Sequence, residues 1–241
     1  MTEHTSHDTP ADTGRNSHSV LSRAWQKAYR ICSASFNAAI TLSVRTNKRR
    51  WRRVAQDPNP HWDWRNQIIS KTVPAGVSVL DLGCGAQTLR RHLSPDCKYQ
   101  PCDLVKSSPD VILCDFNEGL YPEVSETYDY VICSGVLEYI RNPQEFLRRC
   151  SAFGKTMILS YCPLVPGQGR LDRLAVNWIN HFKASELEAL FTESGLSWSV
   201  VNRQPHGETI YSLSRESTDQ RRSSSSLGEP AGIGNKCDER H

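Results

Sequence analysis

The spacing that points most directly to ligand binding is that of an aspartate, which closes an apolar stretch, and two glycines that follow it. In V-L-D-L-G-C-G, Asp81 ends the apolar run and Gly83 and Gly85 follow at alternate positions, with Cys84 between them. Glycines at a strand-to-helix turn let the backbone approach a ligand closely because no Cβ intervenes. We predict that a helix begins near Gln87. Alone, this pattern has low specificity, and a tight turn in an unrelated α/β protein remains the alternative.

Two further aspartates follow in an order that suits a nucleoside. Asp103, which precedes Leu104, closes a second apolar stretch 22 residues after Asp81. An acid about 20 residues beyond a glycine turn is placed to bind the two hydroxyls of a ribose. Asp115 closes a third stretch and is followed by Phe116. Its carboxylate can accept a hydrogen bond from an exocyclic adenine amine while the neighbouring ring flanks the base.

A fourth stretch, Y-D-Y-V-I-C-S-G-V-L-E-Y-I at residues 128–140, runs into Gly135 and a short helix. Together these motifs resemble the class I S-adenosylmethionine-dependent methyltransferases of the small-molecule type, in an abbreviated subgroup whose fourth strand reads like F-D-x-V-x-x-x-x-V-L-E-H. The resemblance covers about residues 60–213, and its motifs are specific in combination. It implies an α/β, Rossmann-like fold with a seven-stranded, mostly parallel sheet whose last strand is reversed, here E-T-I-Y-S-L-S.

The resemblance also implies S-adenosyl-L-methionine as cofactor. By matching positions, the glycine turn flanks the methionine portion, Asp103 binds the ribose, Asp115 and Phe116 bind the adenine, and residues 134–136 line the floor near the sulfonium. The cofactor-binding residues predicted in this way are Asp81, Gly83, Cys84, Gly85, Asp103, Leu104, Asp115, Phe116, Ser134 and Gly135.

Three departures from the family pattern leave open a catalytically silent relative. Gln87 stands where many members have a third glycine. Only seven residues, L-V-K-S-S-P-D, separate Asp103 from Val111, too few for the usual crossover helix of a parallel pair. The Pro-Gly-Gly turn common before the fifth strand is replaced by residues 152–155, A-F-G-K.

No group for acceptor chemistry stands out. His181, in W-I-N-H-F-K, lies where many members carry a similar stretch over the acceptor site, so it is a weak candidate for a general base, and a structural contact is the alternative. Glu138 is a second weak candidate, and the alternative is again a structural role. Tyr139 stands where relatives have histidine. No N-P-P-[YFW] motif follows the fourth strand, which argues against methylation of an adenine or glutamine amide nitrogen.

The pattern of apolar stretches divides the chain into four segments. Residues 1–18 are polar and predicted to be disordered, and residues 19–56 are predicted to form a basic amphipathic helix and a linker. Strands alternate with helices over residues 57–215, which indicates a parallel sheet covered on both faces and defines the methyltransferase domain. Residues 216–241 are predicted to be a disordered tail.

The cysteine and hydropathy patterns bear on location. Most of the nine cysteines lie in apolar surroundings and no CxxC pair occurs, so we expect reduced thiols and no metal site. No run of eighteen apolar residues and no secretory signal is present. A cytoplasmic protein is predicted, with peripheral membrane association as an option.

The N-terminal segment is strongly basic. Residues 15–53 contain ten Lys or Arg and no Asp or Glu, whereas the whole chain has a net charge of +3. Leu21, Trp25, Tyr29 and Phe36 share one face of the predicted helix. Three interpretations remain: a helix packed on the domain, an anionic membrane surface bound through residues 19–53, and RNA. Nucleic acid is the least expected because no RNA-binding module is recognisable.

These observations predict a methyltransferase that acts on an oxygen or nitrogen of a small-molecule, glycan or lipid-linked acceptor. A sulfonium is already an activated methyl donor, so the protein needs mainly to align a nucleophile. An RNA methyltransferase and a non-catalytic partner protein that keeps the fold are the alternatives.

Overall fold

The computed structural model describes residues 15–56, 61–204 and 207–216. The two segments predicted to be disordered are residues 1–18 and 216–241. Most of each, namely residues 1–14 and 217–241, lies outside the described residues. The first helix begins at Arg15, four residues inside the segment that the sequence pattern assigned to disorder.

A seven-stranded sheet organises the domain. Its strands are β1 (Ser78–Leu82), β2 (Lys98–Asp103), β3 (Ile112–Leu113), β4 (Tyr128–Ser134), β5 (Gly154–Tyr161), β6 (Leu196–Arg203) and β7 (Thr209–Arg215). The spatial order is β3-β2-β1-β4-β5-β7-β6. Strands β1 to β5 pair in parallel, and β7 is antiparallel to both β5 and β6. The predicted fold, with its reversed last strand, is confirmed.

Strand β3 contains only two residues. It pairs with β2 through two residue pairs only, Cys102 with Ile112 and Asp103 with Leu113. The connection between the two strands contains no helix, as its length predicted, and β3 lies at the edge of the sheet. The short connection keeps the ends of β2 and β3 close together.

The helices are α1 (Arg15–Ser43), α2 (Lys48–Gln56), α3 (His61–Ser70), α4 (Pro143–Cys150), α5 (Arg170–Ala175) and α6 (Ala184–Glu193). Helix α4 begins as its sequence predicts, because Pro143 occupies the first turn and the Asn142 side chain accepts a hydrogen bond from the Glu145 amide. The basic cluster K-R-R-W-R-R, which was not predicted as a helix, forms most of α2.

The prediction of a helix that begins near Gln87 is wrong. Gln87 has a left-handed backbone (φ 55°), and only one turn of 3-10 helix, Leu89–Arg91, follows it. A residue with positive φ cannot start a right-handed helix, so the chain crosses this face of the sheet in turns.

Two apolar layers cover the sheet. On one face, Ile69 of α3 and Leu89 pack with Ile132, Ile158 and Ile210 of the sheet. On the other, α4 and α6 contribute Phe146, Leu147, Leu187 and Phe191. Apolar burial of this kind is the main contribution to stability of an α/β domain.

Two further expectations concern thiols and membranes. The sulfurs of Cys102 and Cys114 are joined as a disulfide at the ends of β2 and β3, which corrects the expectation that these thiols are reduced. Among the described helices, none is long and apolar enough to cross a bilayer.

Candidate functional site

A cavity of about 270 Å³ lies at the carboxyl ends of β1, β2 and β4. In open α/β sheets, ligands bind at this edge, where the strand order reverses. The sheet order places β1 between β2 and β4, so the reversal falls at β1. All ten predicted cofactor residues line the cavity, and Glu138 lines it as well.

Asp103 ties the glycine turn to the end of β2. Its Oδ2 accepts a hydrogen bond from the Gly85 amide at 2.8 Å, and its Oδ1 accepts one from the Val105 amide at 3.0 Å. Burial raises the pKa of this carboxyl, although the backbone donors oppose the shift. Each oxygen keeps a second lone pair, so Asp103 can shape the turn and also accept hydrogen bonds from a ligand.

The two glycines of the turn have different surroundings. Both have positive φ, +80° at Gly83 and +53° at Gly85. A Cβ at Gly83 would collide with the Val136 side chain, whereas a Cβ at Gly85 would meet nothing within 4 Å. Gly83 is therefore required for packing of the turn against the end of β4, and Gly85 leaves open space beside the turn.

We expect Gly83→Ala to destabilise the fold itself. The left-handed backbone costs roughly 1–2 kcal/mol for a non-glycine residue, and the collision with Val136 adds on the order of 1–3 kcal/mol. The matched control is Gly119→Ala, which has a similar φ of +76° but meets nothing within 4 Å. Urea unfolding measures both variants. Equal losses of stability would mean that the close approach to Val136 does not matter.

Asp81 is buried at the floor of the cavity. The Tyr99 hydroxyl donates a hydrogen bond to its Oδ2 at 2.5 Å. Burial raises the pKa of Asp81 to about 7, against the opposing effect of that hydrogen bond, and the nearby Asp103 carboxylate raises it further. The group is thus partly protonated near neutral pH.

Asp115 lies against the N-terminal helices. Its Oδ1 accepts a hydrogen bond from the Thr46 hydroxyl at 2.9 Å. The Lys48 Nζ lies 3.3 Å from Oδ2 but outside hydrogen-bond geometry, so this buried oxygen has no hydrogen-bond partner among the described residues. A buried acceptor without a donor is costly, and a ligand amine that reached it would remove that cost.

Helix α3 brings a buried arginine to the end of β4. The Arg65 guanidinium pairs with the Glu208 carboxylate at 3.0 Å and donates to the Ser134 carbonyl at 3.2 Å. The next residue, Asn66, accepts a hydrogen bond from the Ser134 hydroxyl at 3.2 Å. Ser134, a predicted cofactor residue, is therefore held by two residues that precede the first strand.

Glu138 has one bound and one free carboxylate oxygen. Its Oε1 accepts a hydrogen bond from the Cys162 amide at 2.9 Å, and its buried Oε2 has no partner among the described residues. The side chain is 2% exposed. Burial raises its pKa to about 7, which the Arg65 charge partly opposes. The residue thus links the segment that follows β4 to the end of β5, and it is one of the residues that line the cavity.

Comparison with known proteins shows the family to which the chain belongs. A family model described as a methyltransferase domain matches residues 47–198, more than half of the chain. The chain belongs to this methyltransferase domain family. The matched region begins before α2 and ends within β6, so α2, which lines the cavity through Trp51 and Ala55, falls within the family match.

Individual relatives are more distant. The domain is 31% identical over 113 residues to the bifunctional methionine biosynthesis protein MetXA/MetW of Rhodopirellula baltica, an alignment that covers 39% of this chain and 18% of that protein. Its structure is similar to human N-acetylserotonin methyltransferase in complex with SAM, with a TM-score of 0.55, 14% identity, and coverage of 71% of this chain and 57% of the human one. It is also similar to TnmH, with a TM-score of 0.52, 16% identity, and coverage of 79% and 70%.

The chain thus spans about a fifth of the curated relative and less than two thirds of the human enzyme chain. The structural neighbours agree with the observed Rossmann-like methyltransferase fold.

His181 does not line the cavity of the methyltransferase domain. Burial lowers its pKa, and the positive charges of Arg173 and Arg170 lower it further. Its Nδ1 is buried without a partner among the described residues. Of the two weak candidates for a general base, only Glu138 reaches the cavity.

Sequence reasoning missed an aromatic wall of the cavity. Trp51 of α2 packs edge-on against Tyr139, with ring centroids 4.6 Å apart. The Trp178 indole donates to the Tyr139 hydroxyl at 3.0 Å, and Trp62 also lines the cavity. The available signal was the group of tryptophans at positions 51, 62 and 64, of which the first lies in the predicted basic segment and the other two in the predicted domain.

A buried arginine supports this wall from behind. Arg173 is 1% exposed, and its guanidinium lies 4.6 Å from the Trp178 ring. It donates hydrogen bonds to the Cys162 carbonyl at 2.9 Å and to the Asn180 carbonyl at 3.0 Å. The loop that carries Trp178 is therefore held against the end of β5, and the sequence alone did not indicate this role.

Proposed function

We propose that this domain transfers a methyl group from S-adenosyl-L-methionine to an oxygen or nitrogen of a small-molecule, glycan or lipid-linked acceptor. The observation that carries the proposal is the grouping of the ten predicted cofactor residues around one cavity at the switch point of the sheet. Family membership supports methyl transfer, and the cavity supports the cofactor.

The residues present fit an adenosine-containing cofactor. The buried Oδ2 of Asp115 lies beside the Lys48 charge but has no hydrogen-bond donor among the described residues, and an adenine amine would supply one. The Asp103 carboxylate keeps free lone pairs beside the glycine turn. At Gly85 the absence of a side chain leaves open space. We therefore assign adenine to Asp115 and Phe116, the ribose to Asp103, and the methionine portion to Asp81 and the turn.

When bound, the cofactor supplies a methyl group already activated by its sulfonium. The protein has two tasks: to align the acceptor for in-line attack and to take its proton. We assign the second task to Glu138, because it lines the cavity and its Oε2 has no hydrogen-bond partner among the described residues. With an acceptor in the cavity, the Glu138 carboxylate would take the proton that the acceptor hydroxyl or amine loses.

The aromatic wall suits an acceptor with an apolar portion. Trp51, Trp62, Trp178 and Tyr139 line the same cavity as Glu138. Indole rings give large apolar contact areas with a polar edge. An acceptor that packs against this wall would present its hydroxyl or amine towards Glu138.

A screen with labelled methyl donor tests the function. The full-length protein is incubated with S-adenosyl-L-methionine carrying a labelled methyl group and with lipid, polysaccharide, small-molecule and RNA fractions of cell extract. We expect label in one of the first three fractions. Label only in RNA would replace the acceptor assignment with the RNA alternative, and no label in any fraction would favour the non-catalytic alternative.

Cofactor affinity should rise with pH through about 7. A cationic ligand favours the ionised form of Asp81, whose pKa burial raises to about 7, so binding releases a proton below that pH and none above it. We expect affinity for S-adenosyl-L-methionine to fall by up to about ten-fold per pH unit below 7 and to be constant above it. Asp81→Asn should remove this dependence. A flat profile in the unmodified protein would contradict the assignment of Asp81.

A further inference from the structure

Helix α1 is buried against the domain on one face and exposed on the opposite face. Ala38 and Thr41 are buried, whereas Trp25, Tyr29 and Phe36 are 76%, 70% and 67% exposed. Steps of four and seven place those three aromatic side chains on one face. Phe36 and Ala38 are two positions apart, which is about 200° around a helix. The aromatic face of the helix therefore points away from the domain.

The C-terminal end of α1 is held firmly on the domain. The Thr41 hydroxyl donates to the Leu174 carbonyl at 2.9 Å. The Arg141 guanidinium donates to the carbonyls of Thr41 and Val44 at 3.1 and 2.6 Å. By contrast, every described side chain of residues 25–33 is exposed. The contacts at the C-terminal end thus fix the orientation of the helix, and its aromatic face is exposed.

The adjoining helix α2 adds exposed positive charge. Arg49, Arg52 and Arg53 are exposed, and none forms an ion pair with another described residue. They are part of the run from 15 to 53 that has ten basic residues and no acidic one. A partner for this region must be anionic and must also accept aromatic side chains.

We propose that the aromatic face of α1 and the exposed arginines of α2 bind an anionic membrane surface. Aromatic side chains enter the headgroup region while Lys and Arg attract acidic lipid. A symmetric contact with a second copy of this chain is disfavoured, because the same face of the second copy would bring the same positive charge to it. RNA is disfavoured because phosphates explain the charge but leave the apolar helix face without a role. The inference goes beyond methyl transfer and does not depend on it.

Vesicle co-sedimentation of the full-length protein tests this inference. The vesicles are phosphatidylcholine with about 30% phosphatidylglycerol, at low and high salt. We expect binding that weakens at high salt. The combined variant Trp25→Ser, Tyr29→Ser, Phe36→Ser should bind at least ten-fold more weakly, and so should Arg49→Gln, Arg52→Gln, Arg53→Gln.

Each variant has a matched control elsewhere on the domain. Leu113→Ser with Leu120→Ser removes apolar side chains that are 58% and 59% exposed. Arg148→Gln, Arg149→Gln, Lys155→Gln removes three exposed positive charges. Both controls should bind vesicles as the unmodified protein does.

Four outcomes would overturn the proposal. They are the absence of vesicle binding, binding that both test variants retain, an RNA mobility shift without vesicle binding, and a lipid-free dimer that the aromatic variant dissociates. Circular dichroism of each variant shows whether the fold persists. S-adenosyl-L-homocysteine binding is measured separately, so failure of the membrane proposal and failure of the methyltransferase proposal are distinguishable.

Discussion

Replacement of Glu138 by glutamine should lower the rate of methyl transfer by about 10²- to 10⁴-fold, the usual contribution of a general base. Glutamine keeps the carbonyl oxygen that accepts from the Cys162 amide at 2.9 Å. What it removes is the proton acceptor at the unpartnered Oε2. The measurement is the single-turnover rate on the acceptor fraction that takes up label.

The pH profile separates a base from a structural residue. Because burial raises the pKa of Glu138 to about 7, the rate of the unmodified enzyme should rise through that pH, and the glutamine variant should lack the rise. The charges of Arg65 and Glu208 act on the pKa of Glu138 in opposite directions, and these two residues form an ion pair with each other. A variant with full activity, or one that keeps the rise through pH 7, would show that another group takes the proton.

The same variant should not be less stable at pH 8. Glu138 has a folded-state pKa raised above its unfolded value near 4.5, so its contribution to stability is present below the unfolded pKa and is lost as pH rises through about 7. Glutamine cannot ionise, so Glu138→Gln should unfold at the same or a higher urea concentration at pH 8. Loss of activity with retained stability then reports chemistry. The surface control is Glu145→Gln, which removes only exposed ion pairs.

Replacement of Asp103 by asparagine should weaken cofactor binding by about 10- to 150-fold, which corresponds to roughly 1.5–3 kcal/mol for a hydrogen bond to a charged group. The carboxylate would lose its charge towards the ribose hydroxyls. Asparagine also has a single acceptor oxygen, whereas two backbone amides, of Gly85 and Val105, donate to Asp103. One amide is left without its acceptor, so the turn should loosen by about 1–2 kcal/mol.

Calorimetric titration and urea unfolding separate these two effects. The matched control is Asp110→Asn, an exposed aspartate of the same connection that pairs with Arg90 and does not line the cavity. It should bind the cofactor as the unmodified protein does. Equal affinity in Asp103→Asn would mean that the ribose does not lie at the end of β2.

The cavity edge was predictable from sequence because its signals are local. An apolar strand that ends in Asp81 or Asp103, followed by glycine or a turn, places its last side chain at the carboxyl edge of a parallel sheet. The ten residues that the resemblance to the methyltransferases implied all line one cavity. Glu138, a weak candidate from the sequence, lies in the short helix that follows β4 and also lines the cavity.

What the sequence did not predict depends on long-range contacts. Arg65 meets Glu208 across 143 positions of chain, and nothing near either residue indicates the pair. The role of α2 in the cavity was not predicted because its sequence is dominated by exposed arginines, whereas Trp51 and Ala55 line the cavity. The failed helix at Gln87 depended on a single left-handed residue that a periodic pattern does not reveal.

The most direct test of the central claim is a calorimetric titration of the full-length protein with S-adenosyl-L-homocysteine. We expect one site per chain with a Kd on the order of micromolar, a rise in melting temperature through binding to the folded state, and loss of both in Asp103→Asn. No heat and no change in melting temperature at millimolar ligand would contradict the assignment of the cavity as a cofactor site.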